Sequence, residues 1–166
     1  MLILFLVPLD LGSFTGIRIG IATSKAFCMV NQLPAIGVTS LETLAYSVHH
    51  SGNIVSLIDA KNDNVYCGIF DSQYHLLQNY VAEHIDAIIP TLQKQKNICF
   101  VGNGALLHRQ KLETAIPNSK FSTNYQQSAF CLAQCAYQKY INQDILTADT
   151  LLPLYLRKSQ AERMKG

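Results

Sequence analysis

Along this chain, hydrophobic residues alternate between short unbroken runs, each bounded by turn formers, and longer stretches with helical spacing. Residues 2–7, LILFLV, form the first unbroken run and predict a buried strand. The polar turn DLGS leads from it into a predicted helix over residues 14–29. Residues 34–38 read as a short extended piece. Thr39 opens a helix to about residue 49, with Glu42 completing a capping box. IVSLID and VYCGIFD flank the polar cluster KNDN, which is a hairpin signal, and YHLLQNYVA predicts a third strand. AEHIDAIIPTLQKQ reads as helix, broken or restarted by Pro90. NICFVG is a buried strand, and GALLHRQKLETA a helix stopped at Ile116-Pro117. Ser128 is placed to cap a helix over AFCLAQCAYQKYI, whose apolar positions Phe130, Ala133, Tyr137 and Tyr140 recur at helical spacing. The closing LLPLYLRKSQAERMKG starts extended and ends polar. The order predicts an α/β fold, a strand–helix half followed by a larger half with an antiparallel meander.

Composition narrows the function classes. Among 166 residues, 49% are hydrophobic and 14% charged, enough apolar material for a core and too little charge for a disordered chain. A formal charge of +2 gives no electrostatic case for a nucleic-acid surface or an acidic membrane. The five cysteines are scattered, odd in number and without a CxxC pair, which fits a reducing cytoplasm better than a disulfide framework. The first apolar run lacks the basic segment and cleavage site of a signal peptide and is too short to cross a bilayer.

The stretch most like chemistry is DLGSFTGIRIG, residues 10–20. It is not a Walker loop, because Gly16 is followed by Ile17 and Arg18 rather than Lys and Ser or Thr, and its glycine spacing is wrong for GxGxxG. Ser13 suits an N-cap and Gly12 the sharp turn before it. Gly16, Gly20 and Ser24 then fall four apart on one helix face. Each interior glycine costs about 1 kcal/mol relative to alanine, so a close-approaching neighbour is the expected compensation. Ile17 and Ile21 border this smooth stripe. Ile19, Ala22 and Ala26 suit the helix's own sheet, and Arg18 and Lys25 form a thin charged stripe.

GSFTGIRIGIATSKAF, VTSLETLA, LIDAKNDNVYCGIFD, VGNGA and LPLYLRKSQAE, in that order, resemble the TsaB family, bacterial non-catalytic partners in making the threonylcarbamoyl adenosine of transfer RNA. The likeness runs from about Leu2 to Glu162. Two positions depart from the family pattern: Asp10-Leu11 stand for its first Gly-Pro, and Lys61 for a hairpin arginine. The family also begins with three strands and a helix ahead of this point, so the chain is expected to be N-terminally truncated. The resemblance implies an actin-like nucleotidase fold of two lobes, the first incomplete: residues 1–36 as its remnant, residues 37–166 as the second lobe and tail. It further implies a scaffold that pairs with a catalytic TsaD-type subunit, joined by a TsaE-type ATPase. ATP and metal would sit on those partners rather than on this chain, and transfer RNA would be met only through the complex. Alone, the chain would form a homodimer. The implied partner interface is Ser13, Phe14, Gly16, Ile17, Gly20, Ile21 and Ser24.

The alternative is an actin-like ATPase or metal-dependent glycoprotease-like enzyme with a decayed site. No two of the five histidines, His49, His50, His75, His84 and His108, are four apart, so the helical HxxxH metal pair of the catalytic relative is missing. Ser13 lacks the GxSxG elbow of a serine nucleophile, and no other nucleophile has a base and orienter at recognisable spacing. The best residual hint is Gly102, Asn103 and Gly104, a strand–turn–helix loop similar to the adenosine-side loop of actin-like ATPases. Its bland reading is a tight turn with Asn103 capping the next helix. Asp59 and Asp71 end the hairpin strands and read as turn caps rather than an acid–base pair. His49 and His50 read as end-of-helix residues meeting exposed carbonyls.

Overall fold

The computed structural model describes residues 5–8, 14–123 and 125–156. The chain forms two compact units, one of Met1–Ser40 with Leu132–Gly166 and one of Leu41–Cys131. The expected partition after residue 36 does not coincide with this division, because residues 132–166 cluster with the N-terminal residues.

In the first unit, β1 (Phe5–Pro8) and β2 (Ala35–Val38) run parallel, joined by the crossover helix α1 (Phe14–Asn31). Ile21 and Cys28 of α1, Ala35 of β2 and Leu151 form the buried core, with Ile17, Leu146 and Ala148 packed on it. The late segment is stitched to β2 by a reciprocal backbone pair, Ala35 N to Leu146 O at 2.9 Å and Leu146 N to Ala35 O at 2.8 Å. That pairing has no local sequence signal, which is why the tail's place in this unit was not legible.

The second unit is built on a five-stranded sheet in the order β5-β4-β3-β6-β7: Val81–His84, Asn64–Phe70, Ile54–Asp59, Cys99–Val101 and Lys120–Phe121. The hairpin β3–β4 and the β4–β5 pair are antiparallel, and β6 and β7 are added parallel. The hairpin turn takes Lys61, Asn62 and Asp63 through φ of 66, 54 and 56. Asn64 Nδ2 braces it by donating to the Lys61 and Asn62 carbonyls. On one sheet face Val55, Leu57, Val65, Cys67 and Ile69 pack with Ile85, Ile88 and Leu92 of α3 (Ile85–Leu92), and with Phe100, Ala105 and Leu112.

Several elements differ from expectation. α2 (Ser40–Ala45) stops earlier than residue 49, because the Ser47 amide and hydroxyl both donate to the Leu44 carbonyl and close the helix. The third strand is β5, displaced to residues 81–84, so Ala82–His84 belong to the sheet and not to the following helix. Pro90 lies inside α3 without breaking it. It falls in the last turn, where the one bond its missing N–H forfeits is to the carbonyl of exposed Asp86. The helix expected over residues 104–115 is two pieces, α4 (Asn103–Leu107) and α5 (Arg109–Ala115), separated at His108. In α6 (Ala129–Ile141) Ser128 caps as expected, its Oγ accepting from the Cys131 amide at 3.1 Å. The apolar spacing misled, however. Phe130 and Tyr137 are 70% and 64% exposed, and the small residues Cys131, Cys135 and Ala136 form the buried face.

Candidate functional site

The structure separates the residues of the expected partner face. Ser13 and the side chain of Phe14 lie outside the described residues. Gly16 and Gly20 are exposed, and a Cβ at Gly20 would meet nothing within 4 Å. Ser24 is partly exposed and its hydroxyl donates to the Gly20 carbonyl one turn back, at 2.9 Å. Ile17 and Ile21 instead face inward: Ile21 is 4% exposed and Ile17 packs on the same cluster. These two hold the helix to its own unit rather than bordering an open stripe.

Ile19, Ala22 and Ala26 were expected against the helix's own sheet, yet all three are exposed. Two residues of helix turn the side chain by about 200°, so once Ile21 points inward Ile19 points away. With Phe27 and Val30, Ile19 leaves an exposed apolar arc along α1, alongside the glycines. Arg18 is not part of a free charged stripe. Its Nε donates to Tyr155 Oη at 2.9 Å and its guanidinium lies 5.8 Å from that ring's centre, tying the late segment to the helix. The partners are 137 positions apart, and only the fold reveals the pairing.

The loop Gly102–Asn103–Gly104 joins β6 to α4 and has the opposite character. Gly102 sits at φ 100, a conformation that favours glycine, and a Cβ there would stand 2.3 Å from the Leu57 carbonyl oxygen. A Cβ on Gly104 would lie 3.0 Å from backbone atoms of Ile58. Asn103 does not cap α4. Gly102 occupies that position, and Asn103 Oδ1 accepts from the Asp59 amide at 3.1 Å. The close backbone approach that glycine permits here is to strand β3 of the same unit.

The carboxylates act as turn caps. Asp59 Oδ1 accepts from the Lys61 amide at 2.8 Å while Oδ2 meets Lys61 Nζ at 2.8 Å. The Lys61 ammonium holds the Asp59 carboxyl below the usual carboxylate range, against a smaller upward push from burial. Asp71 Oδ1 accepts from the Gln73 and His75 amides at 2.8 and 2.9 Å. Burial alone would raise the Asp71 pKa, but the His75 and Gln73 bonds together lower it. The two aspartates lie at opposite ends of the hairpin, since Asp59 pairs with Val65 and Asp71 follows Phe70, the partner of Ile54. They cannot act on one substrate atom.

His49 and His50 lie beyond the end of α2. His50 Nε2 bonds the Asn97 carbonyl at 2.7 Å, and His49 Nδ1 the Tyr74 hydroxyl at 2.8 Å, so neither meets the last carbonyls of a helix. The buried cysteines are free thiols, with Cys67 pushed up to about 12 by burial. Among the described residues, no group of three His, Cys, Asp or Glu side chains is arranged to hold a metal ion. No described helix is long and apolar enough to cross a membrane.

Residues 12–165 match the family model described as TsaD: tRNA N6-adenosine threonylcarbamoyltransferase. A Bacillus subtilis (strain 168) protein named tRNA threonylcarbamoyladenosine biosynthesis protein TsaB is 29% identical over 158 residues, covering 91% of this chain and 68% of the relative. A Haemophilus influenzae protein of the same name is 26% identical over 162 residues, covering 88% of this chain and 66% of the relative. The chain thus spans about two thirds of the length of these relatives. Two Pseudomonas aeruginosa structures each superpose with a TM-score of 0.74 over 90% of this chain. One is described as an uncharacterized protein with similarity to peptidase YEAZ (21% identity, 71% of its chain), the other as YeaZ (20%, 72%). The fold is the actin-like glycoprotease fold of those structures.

Proposed function

The chain belongs to the tRNA N6-adenosine threonylcarbamoyltransferase family, and we propose that within it this protein is a TsaB-type scaffold rather than the catalytic subunit. It pairs with a TsaD-type subunit, which carries the metal and the threonylcarbamoyl chemistry, in the cytoplasm. A TsaE-type ATPase joins that pair, and transfer RNA is met through the complex. The chain needs no cofactor of its own.

The observation that carries this reading is the contrast on α1. Ile17, Ile21 and Cys28 anchor the helix in its unit, while Gly16, Gly20, Ser24 and the apolar arc through Ile19, Phe27 and Val30 stay open to solvent. A glycine inside a helix with nothing packed on it among the described residues, as at Gly20, is a standing cost unless another backbone comes close. The ATPase-like alternative is weakened at the one loop that suggested it, because Gly102 and Gly104 spend their close approach on β3.

The test is calorimetric titration of the purified chain into a TsaD-type subunit, beside ATP-hydrolysis and metal assays on the chain alone. Saturable one-to-one pairing with no turnover and no bound metal is the expected result. Absence of pairing, or ATP turnover by the isolated chain, would overturn the reading.

A further inference from the structure

A cleft of about 300 Å³ opens on the α3 side of the five-stranded sheet, beside edge strand β5. Its floor is apolar: Cys67, Val81, Ile88 and Leu92. Its polar lining is Gln78, Asn79, Glu83 and Thr91. No Lys or Arg lines it, and the Glu83 side chain is exposed with no ion-pair partner among the described residues. The Gln78, Asn79 and Thr91 side chains likewise make no hydrogen bond within the described residues. The field of Glu83 reaches the floor, since its charge adds to burial in raising the Cys67 thiol.

An unpaired carboxylate, two carboxamide oxygens and a hydroxyl over an aliphatic floor offer acceptors and a negative charge at one end and carbon at the other. An anion would be repelled, and a neutral apolar body would leave those acceptors facing it unmet. The geometry points to a binding site for a small aliphatic cation, an ammonium or guanidinium on a short carbon stem. The stem lies on Val81 and the exposed edge of Ile88, above the buried Leu92, and the head is held by Glu83 with help from Gln78, Asn79 and Thr91. This chemistry is shared by a free alkylamine and by a lysine or arginine side chain. The site belongs wholly to the second unit and is independent of the α1 face.

The test is titration of the isotope-labelled chain with n-butylamine, agmatine and Nα-acetyl-lysine N-methylamide, followed by amide chemical shifts, with n-butanol and butyrate as controls. The cations should give saturable shifts at Val81, Glu83, Ile88 and Thr91, with a dissociation constant of about 1 mM or tighter. The controls should not saturate. Tighter binding of the capped lysine than of butylamine marks a side chain as the natural occupant, and the reverse order a free amine; either supports the site. Glu83→Gln, an isosteric change at an exposed position, should keep the fold and weaken cation binding about tenfold through loss of the charge-assisted bond. Equal shifts from butanol or butyrate, or an unchanged titration of Glu83→Gln, would overturn the assignment.

Discussion

Two glycine-bearing segments look alike on paper and differ in physical character. Gly16 and Gly20 on α1, and Gly102 and Gly104 after β6, both suggest a backbone that must be approached closely. At Gly102 and Gly104 the approach is already made, by the Leu57 and Ile58 backbone of β3. At Gly20 nothing among the described residues comes within 4 Å of a Cβ position. Gly102 and Gly104 are explained by the fold of this protein alone. Gly20 is not, and on the proposed reading it is left open for a partner.

The same substitution should therefore act with opposite sign in the two places. Gly102→Ala brings a Cβ onto the Leu57 oxygen in a backbone conformation unsuited to alanine. It should destabilise by about 3 kcal/mol or more, adding a clash to the ~1–3 kcal/mol of backbone strain. Denaturant unfolding measures it, and a loss under about 0.5 kcal/mol would mean the loop is not closed by β3.

Asp59, whose amide donates to Asn103 Oδ1, sharpens the closed side of the comparison. Its folded pKa is lowered, so its contribution is present above the unfolded carboxylate pKa of about 3.9 and is lost as pH falls through the folded value. Asp71 acts in the same direction. Stability should fall on acidification below about pH 4. Asp59→Asn should cost about 1 kcal/mol at neutral pH and flatten that acid limb. Thermal melts across the acid range decide it, and a variant with the parent's full acid dependence would contradict the assignment.

Gly20→Ala should stabilise the isolated chain by up to about 1 kcal/mol, since alanine improves helix propensity and its methyl meets nothing. A destabilising result would mean that the chain itself packs on the stripe. The smallest effect belongs to the other flank of α1. Tyr155→Phe removes the acceptor for Arg18 Nε and should cost about 0.5–1 kcal/mol, read as faster amide exchange around residues 151–155. This contact also means that Arg18→Ala is a poor neutral control for the helix.

Much of this was legible beforehand. Helix α1, the β3–β4 hairpin, the Ser128 cap and the position of the glycine loop follow from local chemistry: capping, turn residues and hydrophobic period. What escaped depends on partners distant in sequence. Which arc of α1 turns inward is decided by Leu151 and Ala35, and Ile19 and Ile21 are equally apolar as letters. The aromatic residues of α6 suggested its buried face, but Cys131, Cys135 and Ala136 allow closer packing and took that place. Asn103 was legible as a polar turn residue, but its partner is the Asp59 amide, 44 positions away. The cleft beside β5 had no signal, because its lining residues come from β4, the approach to β5, β5 itself and α3.

The central claim, that the open stripe of α1 receives a partner, is tested most directly by Gly20→Leu. The variant is titrated calorimetrically into a TsaD-type subunit beside the parent chain, and its own melting is recorded. The account predicts a variant at least as stable as the parent, because Gly20 is exposed, its Cβ position meets nothing within 4 Å among the described residues, and leucine has the higher helix propensity. Its pairing should be weaker by about five- to hundredfold, the equivalent of ~1–3 kcal/mol of overpacking where two backbones meet. Pairing as tight as the parent's would contradict it and leave the exposed glycines of α1 without a docking role.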